Sequence, residues 1–397
     1  MKILTLSSVF PNQALPFYGL FVYERMKHVA KKSDVFVVSP IPWSPFDSFI
    51  RFFKKKFRPA RKGIETRDQL EMMYIRFLCL PGIFKFLDGY LYYRSILNPV
   101  GKLIKKNGID IIDAHFAYPD GFAAMLLAKK SGLPFSVTLR GTEVPYSTSF
   151  YRRWQMRWVF KKADKIICVS QSLSEIASEL GAEPAKLKII PNGINTDIFY
   201  PRNRSKARTR LGIQGDTKII LSVGGLVKRK GFHRVIPHLK KMKMDFKDIL
   251  FIIVGGESVE GNYSGELRAL VNELGLEDVV RFEGLQPPEK LPYYYAAADI
   301  FVLATANEGW PNVIVESLAC GTPVVATDVG GVKEIITHDD LGYTVPFDDP
   351  EALYAKMKKA LGQSWDHEKI SSYACRRSWN NVADEVLTMF KEILREK

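Results

Sequence analysis

The chain has 397 residues, of which 46% are hydrophobic and 25% charged. These proportions exclude fibrous and intrinsically disordered proteins, and the length suits two or three globular domains. The four cysteines are scattered and form no C-x-x-C pair, so the sequence predicts neither a disulfide framework nor a zinc site. Because no apolar run approaches the roughly 20 residues of a membrane span, and the N-terminal apolar run is short for a signal peptide, we expect a cytoplasmic protein.

The positive charge is confined to the first half of the chain. Residues 1–200 contain 30 Lys and Arg against 16 Asp and Glu, whereas residues 201–397 contain 27 of each kind. The net charge of +14 therefore lies in the first half. Such a distribution indicates an anionic partner, which is a membrane surface, a nucleic acid or a polyanionic substrate.

Buried strands alternate with helical patterns from the first residues onward. This alternation predicts a parallel sheet of the Rossmann-like kind, in which ligands bind at the carboxyl ends of the strands. Three polar residues follow apolar runs and are therefore expected at such ends: His115, Arg140 and Glu143. Gly19 precedes the first helical pattern, where a glycine lets the backbone approach a ligand closely.

The stretch 43–63, WSPFDSFIRFFKKKFRPARKG, interleaves aromatic and basic residues. An amphipathic segment of this composition can lie in the headgroup layer of an anionic membrane. The alternative is an ordinary surface helix with Phe on one side and Lys on the other.

Composition also suggests where the domains divide. The Arg-rich run that starts at residue 201 is typical of a crossing between domains, and we place the boundary near residue 205. The strand and helix alternation then resumes up to residue 375. The last segment, 376–397, has apolar residues at helical spacing. The predicted divisions are therefore 1–205, 206–375 and 376–397.

The most informative stretch is EGWPNVIVESLACG, from Glu308 to Gly321. A buried strand precedes it, and the strand TPVVAT follows. Pro311 suits the first helical position and Gly321 the position after the last turn. Glu308 then lies in the loop at a strand end, and Glu316 lies about one turn inside the helix. The start of a helix attracts anions and the two carboxylates accept hydrogen bonds, which together fit the phosphate and hydroxyl groups of a nucleotide sugar.

The pattern E-G-x-P-N-x-x-x-E-x-x-x-x-G-x-P-V-V resembles the signature of the family-four retaining glycosyltransferases. The resemblance extends over nearly the whole chain. It implies an α/β fold with two Rossmann-like domains facing across a cleft (GT-B type) and a C-terminal helix that crosses back to the first domain. It also implies a retaining hexosyltransferase whose second domain holds the donor.

The same resemblance implies roles for individual residues. Lys230 would face the donor diphosphate, Glu308 would hold sugar hydroxyls, and Glu316 would hold the ribose. His115 is a further catalytic candidate, against the alternative of a purely structural histidine. The other expected donor contacts are Gly19, Gly225, Phe282, Leu285, Gly309, Trp310, Pro311, Asn312 and Val313.

The chain departs from the family pattern at two places. Gly225 stands where the family usually has an arginine, and Arg229 is the candidate to replace that guanidinium. Arg140 stands where the family often has the histidine of H-G-T-[DE]. A guanidinium cannot act as a base, but it can pair with a phosphate or with an anionic group of the acceptor. We expect Arg140 and Glu143 on the acceptor side.

Several motifs are missing from the sequence. No D-x-D follows a strand, so we expect no metal ion at the diphosphate, and we expect no cofactor. The dinucleotide and P-loop fingerprints do not occur either. The expected partners are a nucleotide sugar and a glycan or lipid-linked acceptor of polysaccharide, glycolipid or cell-envelope synthesis, at the inner membrane face, and no nucleic acid. Two alternatives remain open, a nucleotide-sugar epimerase and a basic nucleic-acid-binding protein.

Overall fold

A computed structural model describes residues 1–47, 52, 63–80, 82–258 and 260–397. The chain forms two compact units. The first contains Met1–Gly193 together with Trp379–Lys397, and the second contains Ile194–Ser378. Most of the predicted membrane segment 43–63 lies outside the described residues.

The first unit is built on a sheet whose described strands number eight, in the order β3-β4-β2-β1-β5-β6-β7-β8. All neighbours are parallel except the β3–β4 pair at one edge. The strands are β1 (Lys2–Leu6), β2 (Asp34–Trp43), β3 (Gly63–Arg67), β4 (Leu70–Leu78), β5 (Ile111–His115), β6 (Phe135–Leu139), β7 (Lys165–Cys168) and β8 (Leu187–Ile189).

Helices connect these strands, as expected for parallel neighbours. The α-helices of the first unit span Leu20–Ala30, Asp88–Asn107, Phe122–Ser131, Glu143–Ser147, Phe150–Lys162, Gln171–Glu179 and Trp379–Arg395. The last of them packs against helix Leu20–Ala30 and contributes Trp379, Val386 and Phe390 to the core of the first unit. The prediction of a C-terminal helix that returns to the first domain is therefore confirmed.

The second unit has a wholly parallel sheet, with the described strands in the order β11-β10-β9-β12-β13-β14. The strands are β9 (Lys218–Val223), β10 (Ile249–Val254), β11 (Val280–Gly284), β12 (Ile300–Leu303), β13 (Val324–Thr327) and β14 (Gly342–Val345). The α-helices span Arg204–Arg210, Phe232–Val235, Leu239–Asp245, Ser264–Leu274, Leu291–Ala297, Asn312–Ala319, Val332–Ile335, Pro350–Gly362 and His367–Cys375.

Both faces of this second sheet are covered. Ile219 and Leu221 of β9 belong to one apolar cluster, whereas Ile220 between them belongs to another. Successive side chains of a strand point to opposite faces, so two cores lie on the two sides of the sheet. This explains why the strands read as unbroken apolar runs.

Each sheet reverses its strand order at one place. In the second unit the reversal lies between β9 and β12, and in the first unit it lies between β1 and β5. Loops after such neighbouring strands diverge and leave a crevice that binds ligands in open α/β sheets. We call the place between β9 and β12 the second switch point, and the place between β1 and β5 the first switch point.

The units divide between Gly193 and Ile194, so residue 205, where the sequence suggested the boundary, lies inside the second unit. Ile194 donates its N–H to the carbonyl of Arg377 at 2.9 Å and is buried in a core of the second unit with Phe199. Packing rather than local polarity sets this division.

Among the described residues, no helix has both the length and the apolar character needed to cross a bilayer.

Candidate active site

Glu308 lies in the loop that follows β12, at the second switch point. Its carboxylate Oε1 accepts hydrogen bonds from Lys230 Nζ at 2.6 Å, Arg229 Nη1 at 3.2 Å and Thr305 Oγ1 at 3.2 Å. Burial raises the pKa of Glu308, but the charges of Lys230 and Arg229 outweigh burial and hold the pKa below its ordinary value. Glu308 is therefore an ionised acceptor paired with two cations.

Lys230 reaches Glu308 from the short 3-10 turn Lys228–Lys230 that follows β9. The next residue, Gly231, has a φ of 78°, and a Cβ there would lie 1.8 Å from the carbonyl oxygen of Ala304. Only glycine permits this approach of the two loops. The glycine after the lysine thus brings the β9 loop against the β12 loop.

A second close approach holds the other side of the Glu308 loop. A Cβ on Gly330, whose φ is 53°, would lie 1.7 Å from the carbonyl oxygen of Glu308. The glycine-led turn after β13 therefore packs directly on the backbone of Glu308.

Arg229 is tied to two acidic side chains. Its guanidinium donates to Glu260 through Nε at 3.0 Å and Nη2 at 2.8 Å, and Nη1 donates to the Asn307 carbonyl at 2.8 Å as well as to Glu308. Burial lowers the pKa of Arg229, but the bonds and charges of Glu260 and Glu308 outweigh burial and raise it. Arg229 is thus a fixed cation beside Glu308, and its replacement of the missing arginine stays a prediction.

Gly225, where the family usually has that arginine, faces the loop that carries Glu260. A Cβ at Gly225 would lie 3.0 Å from Ser258 Cβ. That spacing is tight, so a longer side chain at this position would require the Ser258 loop to shift.

Glu316 lies on helix Asn312–Ala319 and accepts a hydrogen bond from Tyr295 Oη at 3.0 Å. Burial raises its pKa to about 7, against the lowering effects of the Tyr295 bond and the Lys230 charge. The two glutamates therefore differ: Glu308 is held ionised by cations, whereas Glu316 titrates near neutrality.

The start of this helix differs by one residue from the prediction. Pro311 has a ψ of 92° and precedes the helix as its cap, so the first helical residue is Asn312. Gly321, with a φ of 83°, follows the helix end as predicted.

Apart from Gly19, which lies in the first unit, the other predicted donor contacts are spread over the second unit. Leu285 is 63% exposed just after β11, and Phe282 within β11 lies under the Arg268 guanidinium at 4.4 Å. Trp310 and Val313 pack against an apolar core of the unit, and the buried Trp310 Nε1 has no hydrogen-bond partner among the described residues. Gly309, Asn312 and Val313 adjoin Glu308 and the start of the helix in sequence. Nothing in these positions tests the predicted contacts.

The strand-end residues predicted in the first unit are buried and hydrogen-bonded within that unit, and among the described residues only the buried Arg140 Nη2 of this set has no partner. His115 is fully buried; its Nδ1 accepts from Arg140 Nε at 3.0 Å, and its Nε2 lies 3.1 Å from Asp113 Oδ2. Burial lowers the pKa of His115 to about 3, against the charge of Asp113. Since Arg140 donates to Nδ1, the imidazole is neutral and donates from Nε2 to Asp113.

Arg140 and Glu143 also bond inside the unit. Arg140 Nη1 donates to Asn192 at 3.0 Å, and its guanidinium lies 5.1 Å from the centre of the Phe21 ring. The Glu143 carboxylate accepts three backbone N–H groups, at distances of 2.8 to 3.1 Å, from Ala117, Arg140 and Gly141. Glu143 thus holds two loops together.

Gly19 has a φ of 76°, and a Cβ there would lie 2.4 Å from the carbonyl oxygen of Val9. The close neighbour of Gly19 is therefore the chain's own loop after β1. This accounts for a glycine at that position without a ligand.

Sequence reasoning missed several partners in both units. Thr305, Glu260 and Tyr295 complete the second unit's site, and Asp113, Asn192 and Arg25 surround the first unit's cluster. Thr305 follows a strand and could have been found in that way. Glu260 and Tyr295 carry no sequence signal, because their contacts arise between distant segments.

Within the described ranges, no three or more His, Cys, Asp and Glu side chains come together in a group that could hold a metal ion. This finding does not test how the donor diphosphate is neutralised.

The protein thus has two Rossmann-like units, and Glu308 pairs with Lys230 and Arg229 at the switch point of the second unit. Two family models match it: the one described as Glycosyltransferase Family 4 over residues 21–198, and the one described as Glycosyl transferases group 1 over residues 203–377. Together they account for most of the chain. The chain belongs to the group 1 glycosyltransferases with a family 4 N-terminal half, and this assignment favours sugar transfer over the epimerase and nucleic-acid-binding alternatives.

Individual relatives and solved structures match nearly the whole of this chain. The chain is 28% identical over 398 residues to TuaC of Bacillus subtilis (strain 168), provisionally assigned as a teichuronic acid biosynthesis glycosyltransferase, with coverage of 97% of this chain and 92% of the relative. Among solved structures, sucrose-phosphate synthase from Thermosynechococcus elongatus aligns with a TM-score of 0.81 at 20% identity and full coverage of both chains. HepE of Anabaena in complex with UDP-glucose aligns with a TM-score of 0.70 at 22% identity, covering 100% of this chain and 99% of HepE. These two alignments show the GT-B type fold.

Proposed function

We propose that this glycosyltransferase moves a hexose from a nucleoside diphosphate to an acceptor hydroxyl with retention of the anomeric configuration and without a metal ion. The observation that carries the proposal is the contact of 2.6 Å between Lys230 Nζ and Glu308 Oε1 at the second switch point. A cation and a hydrogen-bond acceptor lie side by side there, at the kind of crevice where open α/β sheets bind ligands, which supports a site for a sugar diphosphate.

Lys230 and the first turn of helix Asn312–Ala319 neutralise the leaving group. As the bond between the anomeric carbon and the diphosphate oxygen breaks, negative charge accumulates on the diphosphate. A fixed cation and a helix N-terminus stabilise such charge without reorganisation. Arg229 contributes a second cation beside Lys230.

The acceptor then attacks from the face that the diphosphate leaves. The acceptor oxygen forms the new bond to the anomeric carbon, and its proton moves to the departing phosphate oxygen. Glu308 holds sugar hydroxyls, Glu316 holds the ribose, and neither glutamate is a nucleophile. Since Lys230 and Arg229 keep Glu308 ionised, it is suited to accept hydrogen bonds from hydroxyl groups.

The role of Glu316 can be tested by nucleotide binding. In Glu316→Ala, affinity for the donor nucleotide should fall at least about tenfold, because a ribose hydroxyl would lose its carboxyl acceptor. Titration calorimetry with UDP, GDP and ADP, preceded by a thermal-shift screen of their sugars, measures the effect and identifies the base. UDP-glucose is the first donor to try, given the HepE complex.

Two further variants make this test interpretable. Glu316→Gln keeps an oxygen opposite Tyr295 and controls for packing. Glu273→Ala, on the exposed surface of helix Ser264–Leu274, controls for the loss of a carboxylate elsewhere. Unchanged nucleotide affinity in a folded Glu316→Ala protein would contradict the assignment.

We place the acceptor among lipid-linked sugars and glycans of polysaccharide, glycolipid or cell-envelope synthesis. Two observations support this choice: the excess positive charge of the first half, and the teichuronic acid assignment of TuaC. The protein would then work in the cytoplasm at the inner membrane face. Transfer of a radiolabelled sugar to membrane lipid extracts tests it, and transfer to water-soluble glycans alone would exclude the lipid-linked class.

A further inference from the structure

Helix Phe150–Lys162 of the first unit is fixed by one buried side. Met156, Val159 and Phe160 are fully buried, and Gln155 donates from Nε2 to the Phe86 carbonyl at 2.9 Å. The packing determines which residues face outward. The opposite side of the helix therefore cannot turn inward to bury its apolar groups.

That opposite side contains only aromatic and basic residues. The aromatic side chains are 45–77% exposed: Phe150, Tyr151, Trp154 and Trp158. The exposed cations beside them are Arg153, Arg157, Lys161 and Lys162. We call these eight residues the aromatic-basic face. The rings also contact one another, with Trp154 and Trp158 centred 4.3 Å apart.

The aromatic-basic face is unusual for a surface that only meets water. Scattered exposed apolar residues are normal, but a contiguous set of large rings indicates a binding surface. The helix has no acidic residue, and within the described parts of the chain none of the four cations forms a salt bridge. The positive charge of the face is therefore left uncompensated.

We propose that the aromatic-basic face docks the protein on the surface of an anionic lipid bilayer. Trp and Tyr rings favour the layer between headgroups and acyl chains, and Lys and Arg are attracted to anionic headgroups. The contact is independent of the transferase roles proposed above, because binding to a bilayer needs no turnover.

Charge complementarity favours an anionic bilayer over a second copy of the chain as the partner of the aromatic-basic face. Two such faces pairing about a twofold axis would place four cations against four cations, which repel. An anionic bilayer supplies both an apolar layer for the rings and negative charge for the basic residues.

The face continues onto the neighbouring segment Gly82–Leu87. Tyr151 stacks on Phe86 with ring centres 4.9 Å apart, and Phe84 of the same segment is 48% exposed. This location differs from the stretch 43–63 that the sequence suggested, so the two can be separated by mutation.

The test is co-sedimentation of the full-length chain with vesicles of phosphatidylcholine, with and without phosphatidylglycerol. Wild-type protein should bind the anionic vesicles, and salt should weaken the binding. Arg153→Gln with Arg157→Gln should lower the partition coefficient about thirty-fold, since each cation contributes about 1 kcal/mol, which is about fivefold. Trp154→Ala with Trp158→Ala should lower it at least about tenfold.

Two control variants use exposed residues elsewhere. Lys240→Gln with Met244→Ala removes a cation and an apolar side chain, the latter 82% exposed, from the second unit and should bind like wild type. Phe46→Ala with Phe52→Ala tests the segment 43–63 and should also retain binding. All variants replace exposed side chains, and circular dichroism verifies that they fold.

Either of two kinds of result, in vesicle binding or in oligomeric state, would overturn the proposal. One is unchanged sedimentation of both face variants, or loss of binding only in the Phe46 and Phe52 variant. The other is a concentration-dependent dimer, seen by light scattering, that the Trp154 and Trp158 substitutions abolish, because that result would assign the face to a second copy.

Discussion

Each of the two Rossmann-like units has a switch point, and the side-chain contacts that join the loops there differ between the units. In the second unit, Lys230 and Arg229 meet Glu308 with side chains that are 11–31% exposed. In the first unit, Asp120 joins the loops after β5 and β1 by accepting from the Ser8 N–H at 2.6 Å, and Asp120 is fully buried. The first bridge is a charged pair within reach of a ligand, and the second is an internal hydrogen bond.

The pKa values of Asp120 in the first unit and Glu308 in the second unit also differ. Burial raises the pKa of Asp120 to about 8, so this carboxyl is neutral at pH 7 and no cation is needed beside it. In contrast, cations hold Glu308 ionised. The comparison teaches that a polar residue at a strand end is available for chemistry only where its partners leave it charged and partly open to solvent.

The largest expected effect is the loss of Lys230. Lys230→Ala should lower kcat for sugar transfer about 10²- to 10³-fold, because one preorganised charge at the leaving group is removed. Steady-state kinetics with the donor identified by thermal shift measure it. The matched control is Lys228→Ala, an exposed lysine on the same turn, which should keep wild-type kcat. An unchanged kcat in Lys230→Ala would show that the pair formed by Lys230 and Glu308 has no role in catalysis.

In the first unit, the corresponding change should affect stability instead of chemistry. His115→Ala leaves Asp113 and Arg140 without their common partner in the interior, which should lower the free energy of unfolding by about 3 kcal/mol. Urea unfolding measures the change, and His338→Ala, with an exposed side chain, is the control. A fully stable His115→Ala protein with lost activity would instead support the catalytic role considered from the sequence.

Glu316 should make stability depend on pH. Its pKa is about 7 in the folded protein against an ordinary 4.5. The folded state thus binds the proton more tightly than the unfolded chain does. The stabilisation of the folded state by this proton is therefore fully present below pH 4.5 and is lost as the pH rises through 7. Glu316→Gln should remove this dependence, on the order of 2 kcal/mol between pH 5 and 8. Unfolding series at both pH values test it, and parallel wild-type and variant curves would be inconsistent with a protonated Glu316.

The smallest expected effect is that of Asp120→Asn. Because Asp120 is neutral at pH 7, an amide can accept from the Ser8 N–H and donate to Ser8 Oγ in its place. The free energy of unfolding should change by less than about 1 kcal/mol at pH 7. Thermal unfolding at pH 7 and 9 checks this, and the variant should be the more stable protein at pH 9. A large loss at pH 7 would mean that Asp120 is ionised.

Much of the second unit could be predicted because its signals are local. The strand, loop and helix around Glu308 and the end of that helix at Gly321 followed from periodicity and the family pattern. The cap position of Pro311 and the division at Gly193 did not, since backbone dihedrals and packing decide them.

The sequence by itself determined the two alternating α/β halves, the acidic motif and the surplus of positive charge in the first half. Only the tertiary structure decided which strand-end residues are satisfied internally, as His115 and Glu143 are, and which face of helix Phe150–Lys162 stays exposed. The physical reason is that hydrogen bonds such as those of Arg140 with His115 and Arg229 with Glu260 join residues 25 and 31 positions apart. No local pattern encodes such pairs, because they form only when separate loops are brought together by the sheet.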